Sequence, residues 1–291
     1  MYQILLIDKA KGLTSHDVVN DLRRHLKIRR IGHTGTLDPF ATGLMVMLID
    51  KSTKLSKYFV EHDKTYEAEI TLGIETDSLD ITGVITSRKS VEGITVDKIT
   101  EVLKTFIGKQ KQIPPIYSAI KKDGKKLVDL ARKNKEIPEI DPRDIEIYNC
   151  SSPTDFRIEE DLIRFSVILH VSKGTYIRAF ARDLGMALGT LGCLSNLRRT
   201  SVGEFNISDA YCLECLHTLD YTFQDPIDHL NLDKLVVSDE TAKSVEFGRF
   251  LSTDLFTSKS DTILYNELLI PIAIYTYDEN KDVMRMSVML N

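Results

Sequence analysis

Two segments of the chain alternate between apolar and polar residues, and they constrain its fold more than any other feature. In residues 66–72, Tyr66, Ala68, Ile70 and Leu72 share one face of an extended segment. The second segment repeats the pattern with Ile163, Phe165, Val167, Leu169 and Val171. A period of two predicts half-buried strands, and strands with one covered face are typical of antiparallel sheets.

Helical patterns lie between these strands. From Thr14 or Ser15, either of which is a suitable cap, Val18, Leu22 and Leu26 follow at a spacing of four, which predicts a helix to about residue 27. Further helices are predicted over 53–60, 96–106, 127–133 and 176–188. Helices mixed with alternating strands predict an α+β fold, with a mainly antiparallel mixed sheet flanked by helices.

The C-terminal part has a different character. Polar residues dominate 220–231, which predicts a linker. Short apolar segments over 235–237, 263–265, 268–275 and 283–290 then predict a small β domain in 232–291. A length of 291 residues fits one large domain followed by a small one.

Composition favours a soluble globular protein, with 42% hydrophobic and 28% charged residues. Apolar runs stay well below the ~20 residues that a membrane helix needs. The apolar N-terminus, 1–7, is short, lacks a basic lead-in and meets Asp8, so no signal peptide is predicted and a cytoplasmic location is expected.

Four cysteines in a chain of 291 residues give no indication of a disulfide framework. Cys212 and Cys215 have the C-x-x-C spacing, but a zinc site needs four ligands and His217 is the nearest further candidate. Reduced thiols and no metal site are therefore expected.

Charge is distributed unevenly, although the net charge is −5. Residues 104–143 hold 11 Lys/Arg against 5 Asp/Glu, whereas residues 217–291 hold 6 against 13. A basic body with an acidic tail can present a positive face to phosphates, but the same lysines would also suit an ordinary solvated surface.

One loop carries the strongest functional signal. Residues 32–43 read G-H-T-G-T-L-D-P-F-A-T-G, and Asp38 is their only acidic residue. Glycines, threonines and a proline favour a tight loop that holds this carboxylate in place, although an Asp before Pro also suits a plain turn. No second carboxylate lies nearby in sequence and no phosphate-binding G-x-x-x-x-G-K-[ST] motif is present, so neither paired-carboxylate chemistry nor an ATP site is indicated.

Three further segments have both a functional and a plain interpretation. Tyr66, after Lys64, would be a stacking platform for a base or a core tyrosine. Arg178, in K-G-T-Y-I-R at 173–178, would pair with a carboxylate or phosphate or lie in solvent. The lysine-rich segment 112–127 would face RNA or form a Pro-stiffened connection.

Together these segments resemble the TruB family of bacterial tRNA pseudouridine synthases. The resemblance rests on the 32–43 block, K-x-Y at 64–66, P-P-x-x-S-A-I-K-x-x-G-K-x-L at 114–127, K-G-T-Y-I-R at 173–178 and L-x-x-L-R-R-T at 194–200. It covers roughly residues 2–215. The resemblance implies the pseudouridine synthase fold with a C-terminal domain similar to a shortened PUA module.

The resemblance also implies roles for individual residues. Asp38 would be the catalytic aspartate, Tyr66 would stack on the target base, and Arg178 would pair with Asp38. Tyr176 and Leu197 would line the pocket against the base. His33 would contact RNA near the flipped nucleotide.

The implied activity is isomerisation of uridine to pseudouridine, at uridine 55 in the T-arm loop of tRNA. That reaction oxidises nothing, so no redox cofactor, metal or ATP is expected. The implied domains are a catalytic domain (1–219) with an RNA-binding insertion (about 104–143), the linker and a PUA-like tail. A monomer acting on tRNA, without an obligate protein partner or a membrane, is expected.

Two rival interpretations remain. An RNA-guided synthase of the same superfamily would show basic extensions for guide RNA, and a non-catalytic RNA-binding factor would not need Asp38, Tyr66 and Arg178 together. The acidic tail is expected to grip phosphate weakly, so a chain ending near Asn231 is expected to stay folded unless the tail covers apolar surface of the body.

Overall fold

The computed structural model of the chain describes residues 2–118, 120–122, 124–132, 138–218 and 220–290, with the backbone alone at 121, 122, 125, 126, 128, 129, 132 and 217. The side chains of Lys121, Lys122, Lys125 and Lys126 in the 112–127 segment therefore lie outside the described part. No helix in the described ranges is both long and apolar enough to cross a membrane.

Strands dominate the described ranges. In chain order they are β1 (Tyr2–Lys9), β2 (Ile31–His33), β3 (Thr42–Asp50), β4 (Lys64–Leu72), β5 (Ile74–Thr76), β6 (Ile85–Arg88), β7 (Gly108–Gln112), β8 (Lys121–Lys122), β9 (Lys125–Lys126), β10 (Arg143–Cys150), β11 (Thr154–Glu159), β12 (Leu162–Val171), β13 (Gly192–Val202), β14 (Phe205–Asn206), β15 (Tyr211–Cys212), β16 (Asp233–Val236), β17 (Leu251–Ser252), β18 (Thr262–Tyr265), β19 (Pro271–Asp278) and β20 (Val283–Met289).

The α-helices are α1 (Ser15–Leu26), α2 (Ser56–Val60), α3 (Val96–Thr105), α4 (Leu127–Arg132), α5 (Ile177–Ala187) and α6 (Asp239–Glu246). Short 3-10 helices occupy Lys51–Leu55, Ile207–Asp209, Glu214–His217, Pro226–His229 and Thr253–Leu255. The predicted helix over 53–60 is thus a 3-10 turn followed by one α-helical turn.

The large sheet confirms the predicted α+β architecture. Its strands run in the order β15-β1-β3-β13-β4-β12-β10-β7, with β2, β11 and β14 paired at its margins. All these pairings are antiparallel except β1 with β15 and β3 with β13. The two alternating segments are neighbours in it, since Tyr66 of β4 lies opposite Leu169 of β12.

One face of this sheet carries the main core. Helices α1, α3 and α5 pack on it through Val18, Leu22, Ile99, Phe180 and Leu184, against strand residues such as Met47, Ile70 and Phe165. The amphipathic spacing of α1 explains its placement, because Val18 and Leu22 are fully buried while Arg24 and Lys27 are exposed. These helices and strand ends surround the site described below.

The C-terminal residues form a separate five-stranded sheet in the order β16-β18-β19-β20-β17. The four short strands predicted from sequence are present, but residues 239–246 form α6, which the strand-only prediction missed. Ser238 begins this helix because its hydroxyl accepts a hydrogen bond from the Thr241 N–H.

A second core joins the tail to the opposite face of the large sheet. It contains Ile4, Leu6, Leu44, Val46 and Leu48 of the body and Ile263, Ile274, Val288 and Leu290 of the tail. Ile227 and Leu230 are buried in the same cluster, so 220–231 is not simply a solvated linker. Tyr58 Oη also donates to Asp261 Oδ2 of the tail at 2.7 Å.

The expectation of reduced thiols at Cys212 and Cys215 is wrong, because the structure joins them in a disulfide. The 3-10 turn after β15 brings their Cα atoms to 5.1 Å, and the Cys215 N–H points at Cys212 Sγ. Cys150 and Cys193 are free, and burial raises the pKa of each thiol to about 12. No cluster of three metal-ligating side chains occurs within the described ranges.

Candidate active site

The loop between β2 and β3, residues 34–41, is called the Asp38 loop here. At the start of the loop, the Thr34 N–H donates a hydrogen bond to the Val46 carbonyl of β3. At its end, the Ala41 N–H donates to the Asp38 carbonyl at 3.1 Å and so forms a turn. The turn before Ala41 directs the Asp38 side chain toward α5 and leaves 36% of it exposed.

Arg178 in the first turn of α5 meets this carboxylate. Its Nε lies 2.8 Å from Asp38 Oδ2, while Nη1 donates to the Ser78 carbonyl at 2.8 Å and Nη2 to the Tyr117 carbonyl at 2.9 Å. The guanidinium is 6% exposed. The rigid fork of donors therefore fixes the carboxylate relative to two other loops, which a lysine would not do.

Burial raises the pKa of the Asp38 carboxyl above its ordinary value, because desolvation penalises the charged form. The adjacent Arg178 opposes this shift, and the carboxylate of Asp80, whose Oδ2 is 3.7 Å from Arg178 Nη1, adds to it. Burial and Asp80 thus raise the pKa of Asp38, while the charges of Arg178 and Lys9 lower it.

The Asp38–Arg178 pair opens into a cavity of about 680 Å³. Five of the six residues singled out from sequence line it: Asp38, Tyr66, Tyr176, Arg178 and Leu197. The volume lies in the range of small-molecule sites, which run from about 300 to 1,000 Å³.

Tyr66 and Leu197 supply apolar walls from neighbouring strands. Tyr66 on β4 is 8% exposed, and Leu197 on β13 pairs with Ala68, the next residue of β4 on the same face. Tyr66 is therefore both a core residue and a wall of the cavity, and the two interpretations of its sequence position are compatible.

Tyr176 occupies the position just before the first turn of α5, and the Gln112 side chain connects its backbone to the insertion. Gln112 at the end of β7 accepts from the Tyr176 N–H at 2.8 Å and donates to the Tyr176 carbonyl at 3.2 Å. Burial raises the pKa of the Tyr176 hydroxyl, which keeps it protonated near neutral pH.

Comparison with known proteins decides the family. A model of the TruB family pseudouridylate synthase N-terminal domain matches residues 23–177, and one of the tRNA pseudouridylate synthase B C-terminal domain matches 178–243. The chain belongs to the TruB family. The relatives named tRNA pseudouridine synthase B include those of Acholeplasma laidlawii, 41% identical over 97% of this chain and 98% of that one, and of Staphylococcus saprophyticus, 39% identical over 87% and 84%.

Solved structures at lower identity share the fold. A Cbf5-Nop10-Gar1 complex contains a chain that matches with a TM-score of 0.67 and 22% identity, over 94% of this chain and 78% of that one. An archaeal box H/ACA Nop10-Cbf5 complex matches with a TM-score of 0.67 and 20% identity, over 99% and 85%. At this identity the likeness confirms the pseudouridine synthase fold alone.

Of the six residues to which the TruB resemblance gives a role, His33 alone does not line the cavity. It lies on β2 opposite Met47, half-buried, one residue before Thr34, which does line the cavity. Burial and the nearby Arg199 charge lower the pKa of its imidazole, so the ring is neutral at physiological pH. A contact with RNA at His33 stays a prediction.

Sequence reasoning gave no role to three buried cations around this TruB site. Arg199 is 1% exposed and donates to the Leu44 and Gly35 carbonyls, at 2.7 and 3.1 Å. Lys64 donates to the Val60 and His62 carbonyls, and Lys9 to those of Ala10 and Leu13. Burial lowers the pKa of each lysine to about 8. Arg199 and Lys64 lie inside blocks that carry the resemblance, which was the available signal, whereas Lys9 lies outside all of them.

Asp80, like Lys9, lies in a segment without a family block, and it was missed for that reason. We expect Asp80→Asn to extend activity to lower pH, because its negative charge raises the pKa of Asp38 and the neutral amide removes that effect while keeping the acceptor for the Thr82 N–H. The measurement is kcat/KM against pH. Asp77→Asn, on the same loop but without an ion pair to Arg178, should leave the acid limb in place, and an unmoved limb in Asp80→Asn would refute the coupling.

Proposed function

We propose that this chain isomerises uridine to pseudouridine in tRNA, at uridine 55 of the T-arm loop, with Asp38 as the catalytic residue. The observation that carries the proposal is the ion pair of Asp38 and Arg178 at the wall of a cavity built by a TruB chain. The relatives that match over nearly the whole chain are named for the same activity on tRNA.

The reaction needs little from the protein beyond one carboxylate that is correctly positioned at the target nucleotide. The N1–C1′ glycosidic bond breaks, the uracil turns, and C5 bonds to C1′, while a proton leaves C5 and another is gained at N1. Electrons balance within the nucleotide, so the reaction itself calls for no oxidant. Asp38 serves either as a covalent nucleophile or as the charge that stabilises the detached sugar.

Arg178 contributes by position and by charge. Its Nε holds one oxygen of Asp38, and its positive charge opposes the rise in the Asp38 pKa that burial produces, which favours the ionised carboxylate that either role needs. Arg178 also ties this carboxylate to the Ser78 and Tyr117 carbonyls.

The target base must leave the RNA stack to enter the cavity, at a cost of a few kcal/mol. Stacking on an aromatic ring is worth about 1–3 kcal/mol per base, so the ring of Tyr66 offsets part of that cost. Leu197 bounds the same space from the next strand.

The surroundings of the cavity fit an RNA partner. Arg143, Lys64 and Lys173 line it, with Glu61 paired to Lys173. We assign the catalytic domain to 1–219 with its RNA-binding insertion at about 104–143, and the PUA-like tail to 232–291. A monomer without an obligate protein partner, acting in the cytoplasm, completes the proposal.

The test is tritium release from tRNA transcripts labelled at uracil C5, using the purified chain alone. Release from a wild-type transcript and none from one with cytidine at position 55 is expected. Release that requires an added guide RNA would favour an RNA-guided synthase. Binding without release would favour a non-catalytic RNA-binding factor.

Tyr66 provides a separate prediction. Tyr66→Phe keeps the stacking ring and loses the hydroxyl. If the hydroxyl moves a proton in the reaction, as we propose, single-turnover rates should fall by roughly a hundredfold or more while tRNA binding is retained. Tyr66→Leu should lose activity and weaken binding as well. Tyr148→Phe, an exposed tyrosine of β10 outside the cavity wall, is the control. Full activity in Tyr66→Leu would rule out both a stacking and a proton-transfer role.

A further inference from the structure

The segment 9–15, called the support segment here, lies against the Asp38 loop at the start of α1. Its last two residues, Thr14 and Ser15, both carry hydroxyl groups. Thr14 caps the helix, since its Oγ1 accepts from the Asp17 N–H at 3.1 Å and the Asp17 carboxylate accepts from the Thr14 N–H at 2.8 Å. Because Thr14 satisfies the helix terminus, the Ser15 hydroxyl is available for another partner.

Ser15 uses its hydroxyl on the residue immediately before Asp38. Its Oγ accepts from the Leu37 N–H at 2.9 Å and donates to the Leu37 carbonyl at 3.0 Å. Ser15 is 4% exposed and Leu37 is 3% exposed, so water does not replace either bond. A hydroxyl is one of the few small groups that can donate and accept a hydrogen bond at once, as this pair of hydrogen bonds requires.

The support segment also holds the residue immediately after Asp38. The Gly12 N–H donates to the Pro39 carbonyl at 2.7 Å, from a backbone with φ of +91° that favours glycine. Lys9 fixes that turn from within, since its buried ammonium donates to the Ala10 and Leu13 carbonyls. Asp38 is therefore bracketed on both sides by one short segment 22 or more residues away in sequence.

We propose that Ser15 is a positioning residue for the reaction, which acts through Leu37 to hold the Asp38 carboxylate against Arg178. This inference rests on the proposed function of Asp38. Of the two brackets, the Gly12 one is made by backbone atoms alone, whereas the Ser15 one depends on a single side-chain oxygen. Loss of the Ser15 hydroxyl oxygen would thus free the Leu37 side of the Asp38 loop.

The expected effect is kinetic. In Ser15→Ala the Leu37 N–H and carbonyl lose their buried partner, so the loop shifts and the carboxylate moves relative to Arg178 and the substrate. Misplacement of a reacting group by about 1 Å costs up to roughly a hundredfold in rate. We expect kcat to fall roughly ten- to a hundredfold with KM for tRNA nearly unchanged.

The pH profile supplies a second readout. Asp38 faces Arg178 and Lys9, which lower its pKa, and Asp80, which raises it. Loosening the Arg178 contact raises the pKa of Asp38, so the acid limb of kcat should move to higher pH in Ser15→Ala. A residue that only stabilises the fold would leave this limb where it is.

The matched control is Thr14→Ala, which removes the neighbouring helix cap without touching Leu37. Both variants should melt at lower temperature than the parent, but only Ser15→Ala should lose kcat when assayed well below its melting temperature. Ser15→Cys, with a weaker donor and acceptor in nearly the same volume, should fall between Ser15→Ala and the parent, and it carries the test if Ser15→Ala does not fold.

Three results would overturn the proposal: kcat of Ser15→Ala within about threefold of the parent, an equal loss in Thr14→Ala, or an acid limb that does not move. The parent chain and Asp38→Asn are assayed alongside. An inactive parent, or an active Asp38→Asn, would instead count against the proposed function, so the two failures are distinguishable.

Discussion

An Asp38→Asn chain is expected to bind tRNA within a few-fold of the parent affinity and to form almost no pseudouridine. The amide nearly matches the carboxylate in shape, so Leu37, Pro39 and the bonds that hold the loop are retained. What is lost is the negative charge and the nucleophilic oxygen beside Arg178. Removal of such a group in other enzymes costs four to six orders of magnitude, so we expect a fall of at least about a thousandfold.

Single-turnover tritium release measures this loss, and filter binding of labelled tRNA measures affinity. Asp144→Asn is the matched control, because Asp144 also lines the cavity but its side chain is 88% exposed and its nearest cation, Lys111, lies 3.7 Å away at the surface. That variant should keep normal turnover. Activity of Asp38→Asn within tenfold of the parent would remove Asp38 from the mechanism.

The site was predictable where its residues lie in short blocks. Asp38, Tyr66 and Arg178 each lie in a local pattern that limits the backbone, and the structure brings the three to one cavity. Asp80 was not predictable in this way. Arg178 contacts both Asp38 and Asp80, which lie in two loops some 40 residues apart in the sequence. The proximity of these loops depends on how the whole sheet is assembled.

In the fold, too, some elements could be predicted from the sequence and others could not. Strands β4 and β12 have one buried face and one solvated face, so their sequences alternate and were predicted. Strand β13 lies between β3 and β4 and was missed, because its segment G-C-L-S-N-L-R-R-T-S-V mixes apolar and charged residues. Arg199 is buried there through bonds to the Leu44 and Gly35 carbonyls, and a buried arginine hides the strand period.

The sequence left open whether the tail covers apolar surface of the body. Its strands were recognised, and its acidic balance suggested a dispensable module. Acidity is a property of its solvated surface, however, whereas Ile263, Ile274, Val288 and Leu290 are buried against the sheet of the body. Which surface an apolar face will cover is not encoded locally, so the pattern alone could not show that the tail completes a core.

A chain ending at Asn231 is therefore expected to aggregate or to melt far below the full-length chain. Truncation removes four apolar side chains from the second core, which also contains Ile4, Leu6 and Leu48 of the large sheet. Burying each such side chain is worth about 1.5–3 kcal/mol, so the loss approaches the ~5–15 kcal/mol that holds a whole protein folded.

Point variants separate this loss from any loss of RNA contact. Ile274→Ala, at a fully buried position, should destabilise the chain by about 2–5 kcal/mol. Leu268→Ala, in the turn between β18 and β19 and 79% exposed, should change stability by less than about 0.5 kcal/mol. Denaturant unfolding of the two variants and light scattering of the truncated chain give the comparison. A monomeric, cooperatively melting and active truncated chain would show that the large sheet closes its outer face without the tail. The burial of Ile263 and Ile274 of the tail in one core with Ile4 and Leu6 of the body argues for the opposite result.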